Sequence, residues 1–350
     1  VCSVTDRYEI NSVPKNSSRT RNIPSPLDTP ITNTETLKER IWLWQKTLKM
    51  VADHPLIGVG LGNWRIEFPK YAKKQTFRYY GDEKREIIFQ RPHNDYLWVL
   101  AENGIIGFLL YLSFFGMLLY YGFKTFCHAE DSDLRCLAAC MLFGLIGYMV
   151  IAFFSFPKER IVHSVFLALI AACIVSAYHR AFPSPRKTKR NWLPVITIAA
   201  LPILAFCVVV GAIRLHSEIH TRKALDARQK GDWQTVIAEI DKAESRFYQL
   251  DPTATPIVWY RGVAYFSLGE FEKALTDFQT AYKAHPNHIH VLNNLASAYA
   301  RTGQYDKAMA FYQKTLEICP DFEMPRVNLA LVYLYLGKDE DARRLLVDSR

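Results

Sequence analysis

Four uninterrupted apolar runs constrain this chain more than any other feature of its sequence. They occupy residues 105–123, 136–156, 161–178 and 193–213, each 18–21 residues long. A helix of that length rises 1.5 Å per residue and spans roughly 30 Å of hydrocarbon. None of the runs contains Asp, Glu, Lys or Arg, whereas a buried helix of a water-soluble domain is usually shorter and carries a polar stripe. The runs therefore predict four membrane-spanning helices. Pro194 and Pro202 fall in the fourth, where packing by neighbouring helices absorbs a proline. The lack of ionisable spanning residues of those four types argues against a transporter, whose pathway normally needs them.

Basic residues in the connections set the orientation. The connection 180–192 holds Arg180, Arg186, Lys187, Lys189 and Arg190 and no acid, so it is expected on the cytoplasmic side. Residues before 105 and after 213 are then extracytoplasmic. The same basic residues account for much of the net charge of +9, and their place beside apolar runs favours a membrane surface over nucleic acid as the partner. Four of the seven cysteines lie in the apolar stretches, and there is no CxxC or Cys/His cluster of zinc spacing, so neither a disulfide framework nor a structural metal is expected. The chain opens at Val1 without an initiator Met or a leader and reads as the C-terminal part of something longer.

The residues after 213 repeat. Gly269, Gly303 and Gly337 are 34 apart, as are Tyr265, Tyr299 and Tyr333, and Ala274, Ala308 and Ala342; Pro286 and Pro320 keep the same period. Gly231-Asp232-Trp233 followed by Leu250-Asp251-Pro252 reads as a degenerate earlier copy. This period and pattern resemble the tetratricopeptide repeat, which stacks helical hairpins into a superhelix with a concave face. The expected fold class is all-α: an extracytoplasmic loop domain (residues 1–104), four membrane helices (105–213) and a repeat solenoid (214–350).

The first hundred residues hold the candidate chemistry. Residues 1–36, rich in Ser, Thr, Asn and Pro, read as extended. Residues 37–52 read as an amphipathic helix with Ile41, Trp44, Leu48 and Val51 on one stripe. Residues 71–90 read as polar and irregular, and a second helix is expected to begin near Pro92 and run into the first span. Gly58, Gly60 and Gly62 follow a helix rather than a strand and lack the spacing of a dinucleotide-binding fingerprint. Three patterns are notable: Arg40-x-x-x-Trp44; Pro55-Leu56-x-Gly58-x-Gly60-x-Gly62-Asn63; and His93-Asn94 followed by nine residues and Gly104-x-x-Gly107.

Together these patterns resemble the O-antigen ligase and polymerase superfamily over about residues 37–123. The resemblance implies glycan transfer from a polyprenyl-diphosphate carrier to a lipid, glycan or protein hydroxyl; the expected location is the bacterial cytoplasmic membrane with this loop outside, no cofactor is expected, and no metal is expected because the sequence shows no acidic cluster suited to Mg²⁺ or Mn²⁺. The resemblance also implies further N-terminal membrane helices, which this sequence does not contain. Arg40 is the first candidate to hold the leaving diphosphate and Arg91 the second, since fixed guanidinium groups stabilise developing phosphate charge. His93 is the candidate to take the acceptor proton. Asn94 is expected to orient His93 or bind sugar. Gly104 and Gly107 are expected to let the span pack closely on its neighbours. Asp95 and Glu102 are weighed as acids, but a helix cap and a helix-terminal charge account for them as well. Lys158, Glu159, Arg160 and His163 sit at an outer hairpin that could approach the same site, and are read first as interface anchors. A peptide or protein ligand is expected in the repeat groove, by analogy with other such grooves. The competing reading is a non-catalytic, membrane-anchored repeat scaffold for cell-envelope assembly.

Overall fold

The computed structural model of the chain describes residues 33–72, 77–80, 83–86, 89–183 and 193–347, and divides into two compact units, Val1–Ile41 and Trp42–Arg350. The described part of the first unit is the opening of helix α1 (Asn33–Asp53). The second unit holds the rest of that helix and everything that follows.

Apart from one small hairpin, the regular structure among the described residues is helical. Strands β1 (Phe77–Tyr80) and β2 (Glu83–Glu86) pair antiparallel, with Phe77 opposite Glu86 and Tyr80 opposite Glu83. The irregular reading of this stretch missed a two-residue Gly-Asp connection after an aromatic run, which is a hairpin signal. Within α1 the buried positions are Leu43, Thr47 and Met50, while Leu48 is exposed. The expected stripe through Trp44 and Leu48 is thus rotated. The reason is Trp64: its ring is fully buried, and its indole Nε1 donates to Thr47 Oγ1 at 3.2 Å. A buried indole usually takes such a partner, and here the helix turns its Thr47 face inward to supply it. Helices α2 (Trp64–Glu67) and α3 (Pro69–Ala72) bring Phe68 to stack on Trp64 at 4.3 Å.

Helices α4 (Asp95–His128), α5 (Ser132–Phe154), α6 (Ile161–Ala181) and α7 (Leu193–Gln229) are each long and apolar enough to cross a membrane. The first three pack together around Phe115, Leu118, Leu145, Tyr148, Ala152 and Ile174. The close approach of α4 to α5 is at Gly122, where an added Cβ would lie 2.6 Å from Leu142. Gly104 and Gly107, expected to serve that purpose, do not: a Cβ at Gly104 would strike the backbone of Leu56, and one at Gly107 would strike Asn103 of its own helix. Residues 186–190, which carry the orientation argument, lie outside the described residues.

Helix α7 is one helix of 37 residues that runs without interruption through residue 213. Its last turns place Ala224 and Ala227 in the core of the repeats, against α8 (Trp233–Ala243). The solenoid continues through α9 (Ile257–Ser267), α10 (Phe271–Ala284), α11 (Ile289–Arg301), α12 (Tyr305–Ile318), α13 (Glu323–Tyr335) and α14 (Asp339–Val347). Ala274, Ala308 and Ala342 are all buried, as their period requires. The repeat extends to hydrogen bonds: Gln279 Nε2 donates to Tyr299 Oη at 3.1 Å, and 34 residues later Gln313 Nε2 donates to Tyr333 Oη at 3.2 Å.

The repeats also dock on α2. Arg65 Nη1 donates to the Pro252 carbonyl at 3.3 Å, and the buried Asn287 donates through Nδ2 to the Ile66 carbonyl at 2.9 Å. Beside this contact His285 and His288 pack edge to face, 5.2 Å between centroids. Burial pushes the His285 imidazole down from 6.5 to about 4 and the His288 imidazole well below its ordinary value. The sign follows from linkage. These histidines are neutral in the folded state, while the unfolded chain takes up their protons below 6.5, so stability is full above that pH and falls as pH drops towards 4. The slope is about 1.4 kcal/mol per pH unit for each histidine. Thermal unfolding of the repeat region is expected to show a midpoint that declines through this window. In a variant with His285→Gln and His288→Gln the decline should be shallower; an equal slope would remove the histidines as its cause.

Candidate functional site

The site is built where the loop domain meets the start of α4. Trp44, from the first pattern, donates its indole Nε1 to the Pro92 carbonyl at 2.9 Å. This clamps the residue before His93. His93 then turns the chain with φ +55°, a left-handed conformation that costs a non-glycine residue energy and recurs at functional positions. Asn94 is buried and extended; its Oδ1 accepts from Leu97 N at 3.0 Å and caps α4. That capping role accounts for the amide oxygen of Asn94. The His93 ring is half-buried and meets the Phe156 ring edge on at 5.2 Å.

The second and third patterns are joined by backbone. Helix α4 is broken at Gly104, with φ 62° and ψ −169°. The break frees carbonyls on one side and amides on the other. Val59 N donates to the Ala101 carbonyl and Gly60 N to the Glu102 carbonyl, both at 2.9 Å. In return Ile105 N donates to the Pro55 carbonyl at 2.9 Å and Ile106 N to the Leu56 carbonyl at 3.4 Å. The glycines permit this threading: a Cβ at Gly58 would sit 2.4 Å from the Glu102 carbonyl carbon, and one at Gly104 would sit 2.2 Å from the Leu56 carbonyl carbon. Glu102 is buried, and its Oε1 accepts from Trp64 N at 3.2 Å; Asn63 Nδ2 closes the loop on the Val59 carbonyl at 2.9 Å.

The turn between α5 and α6 forms the other wall. Lys158 N donates to Asp95 Oδ2 at 2.9 Å, and Lys158 Nζ lies 4.0 Å from the centre of the Trp98 ring. Burial pushes the Lys158 ammonium below its ordinary range, opposed by the Glu102, Asp95 and Glu159 carboxylates. Asp95 is fully buried, and among the described residues its Oδ1 has no hydrogen-bond partner. Arg91 pairs through Nε with Glu159, and its guanidinium lies 4.4 Å over the Phe156 ring. Residues 158–160, read from sequence as interface anchors, thus line the site.

Of the sequence candidates, His93, Arg91 and Asn94 lie together in the second unit. Arg40 is half-buried on α1 in the first unit, one helical turn before Trp44 in sequence. Among the described residues no group of three or more His, Cys, Asp or Glu side chains is arranged to hold a metal ion.

Comparison with known proteins gives two matched families. The family model described as O-antigen ligase matches residues 9–112, and the tetratricopeptide repeat model matches residues 254–321. A provisionally named polysaccharide ligase of Rickettsia conorii (strain ATCC VR-613 / Malish 7) is 27% identical over 116 residues, which are 32% of this chain and 26% of the relative. The chain therefore spans about a quarter of the length of that relative. Among solved structures, a crystal structure of MamA is 24% identical, covers 42% of this chain and 84% of its own, and superposes with a TM-score of 0.35. MamA 41-end from Desulfovibrio magneticus RS-1 is 13% identical, covers 63% and 95%, and gives 0.34. Residues 9–112 match the O-antigen ligase family model and residues 254–321 match the tetratricopeptide repeat model, and among the described residues four helices are long and apolar enough to cross a membrane.

Proposed function

We propose that this protein is a membrane glycosyltransferase that moves a glycan from a polyprenyl-diphosphate carrier to an acceptor hydroxyl. The observation that carries the reading is the junction at Gly104, where the glycine-rich loop is stitched into the start of the first span, while Trp44 fixes the Pro92 carbonyl just before His93 and the Phe156 ring meets the imidazole edge on. A fixed proton acceptor at the end of a membrane helix suits a reaction whose donor is lipid-linked and whose acceptor arrives from water.

In this mechanism the acceptor oxygen attacks the anomeric carbon. Its proton passes to His93, and the bond to the diphosphate oxygen breaks with its electron pair leaving on the diphosphate. One displacement inverts the anomeric carbon. Arg40 is assigned to the leaving diphosphate from the family pattern, with Arg91 as a second cation. No metal or other cofactor is assigned a role. The acceptor is a lipid, a glycan or a protein, and the repeat groove is assigned a peptide or protein partner.

Transfer is tested by full-length complementation in cells lacking the endogenous activity, scored by lipid-linked glycan left untransferred. Arg40→Lys is expected to transfer poorly, because an ammonium cannot make the paired contacts of a guanidinium, and wild-type transfer is expected to survive EDTA. Full wild-type expression with no transfer to any acceptor class would favour the scaffold reading instead.

The proposed location is the bacterial cytoplasmic membrane, with the loop domain and the repeats outside. In a background with the seven native cysteines replaced, a membrane-impermeant thiol reagent is expected to label Lys230→Cys and to spare Thr188→Cys. The opposite pattern would invert the topology.

A further inference from the structure

Three basic side chains converge on one aromatic ring. The Arg91 guanidinium carbon lies 4.4 Å from the Phe156 centroid, that of Arg160 lies 5.0 Å from it, and the His93 ring meets it edge on at 5.2 Å. Glu159 is paired with Arg91; among the described residues no carboxylate is paired with Arg160, which is exposed. Arg160 also begins α6 and places no side-chain cap on it, which leaves first-turn amides beside the cluster. Two guanidinium charges gathered on one ring repel each other. An anion shared between the two guanidinium groups reverses the sign, and the ring helps to hold them in place.

We propose that Arg91 and Arg160, braced on Phe156, form a two-guanidinium seat for the diphosphate of a lipid-linked donor, which makes the α5–α6 turn a substrate-binding element. The identity of the donor rests on the transfer reading above; the seat itself rests on the cluster. The seat adds Arg160 to Arg91, the second cation assigned to the diphosphate above, and Glu159 weakens it by holding Arg91.

The test uses the full chain in phosphatidylcholine nanodiscs and three probes: farnesyl diphosphate, farnesol and inorganic pyrophosphate. The wild type is expected to bind farnesyl diphosphate and to release it on competition by pyrophosphate. Arg160→Gln should weaken that binding by about tenfold or more, as expected for loss of a charge-assisted contact, with farnesol binding unchanged. Arg160→Lys should fall between the two. Glu159→Gln should tighten binding severalfold, an effect that a merely structural role for the turn would not produce. Unchanged affinity in Arg160→Gln would overturn the seat, as would equal loss of farnesol. Loss of farnesyl diphosphate binding when phosphatidylglycerol is added to the nanodisc would also overturn it, in favour of a headgroup site. The two readings fail separately. If Arg160→Gln loses the diphosphate selectively but the wild type transfers no glycan, the seat stands and the transfer reading falls. If the wild type transfers and Arg160→Gln keeps its affinity and KM, the seat falls alone.

Discussion

His93→Ala is expected to lower glycan transfer by about 10²–10⁴-fold, the usual worth of a positioned general base, with the protein level unchanged. The backbone supports a clean test. His93 already sits at φ +55°, so alanine meets a comparable conformational cost there, and the clamp from Trp44 acts on the Pro92 carbonyl rather than on the imidazole. The bond from Leu97 N to Asn94 also remains. The variant should therefore keep the junction and lose the proton acceptor. Asn94→Ala gives the contrast. Losing a helix cap costs typically about 1 kcal/mol of stability, and turnover should fall far less than in His93→Ala if capping is its main role. The measurement is initial transfer rate in membranes at matched protein level. A His93→Ala rate near wild type would end the assignment of His93 as base.

Gly104→Val is the second large effect, and it acts through the fold. Residue 104 has φ 62° and ψ −169°, a region that is essentially glycine's alone. The new Cβ would also lie 2.2 Å from both the carbonyl carbon and the oxygen of Leu56. These are backbone atoms, so no rotamer change relieves the contact, and the loop must leave the break in α4. The four backbone hydrogen bonds across the junction go with it. The expected local loss is roughly 3 kcal/mol or more from strain and hydrogen bonds together. Limited proteolysis should then open the chain between residues 54 and 62, and transfer should be lost. Gly116→Ala on the same helix, where an added Cβ meets nothing within 4 Å, should change neither readout. A protease-resistant, active Gly104→Val would show that the junction does not hold the site.

Sequence made some of this legible and hid the rest for physical reasons. The four apolar runs and the 34-residue period are repeated, local signals, and both become the helices they indicate. The spacing from His93-Asn94 to Gly104-x-x-Gly107 points to a candidate site near the first span, but not to the break of the helix at Gly104. That break depends on Leu56 arriving from 48 residues away in sequence, and backbone pairing between distant segments leaves no periodic mark. Asn94 reads from sequence as a residue that orients His93 or binds sugar, and its capping of α4 shows only once Leu97 N is seen on its oxygen. The rotated face of α1 has the same origin: the hydroxyl of Thr47 is buried because a tryptophan 17 residues away needs it. For residues 158–160 the interfacial reading came ahead of an approach to the site because their partners, Asp95, Trp98 and Arg91, belong to a different helix and its approach.

The unbroken course of α7 gives the fourth span a property that its own residues do not determine. A helix with 3.6 residues per turn fixes the angular phase of every residue relative to every other. The repeat end of α7 is locked in phase by Ala224 and Ala227 in the solenoid core, and the solenoid is in turn pinned to α2 through Pro252 and Asn287. The azimuth of the apolar end is therefore set from outside the bilayer. Inserting one residue near 214 would swing every side chain of the span by about 100° and raise it by about 1.5 Å without changing its hydrophobicity at all.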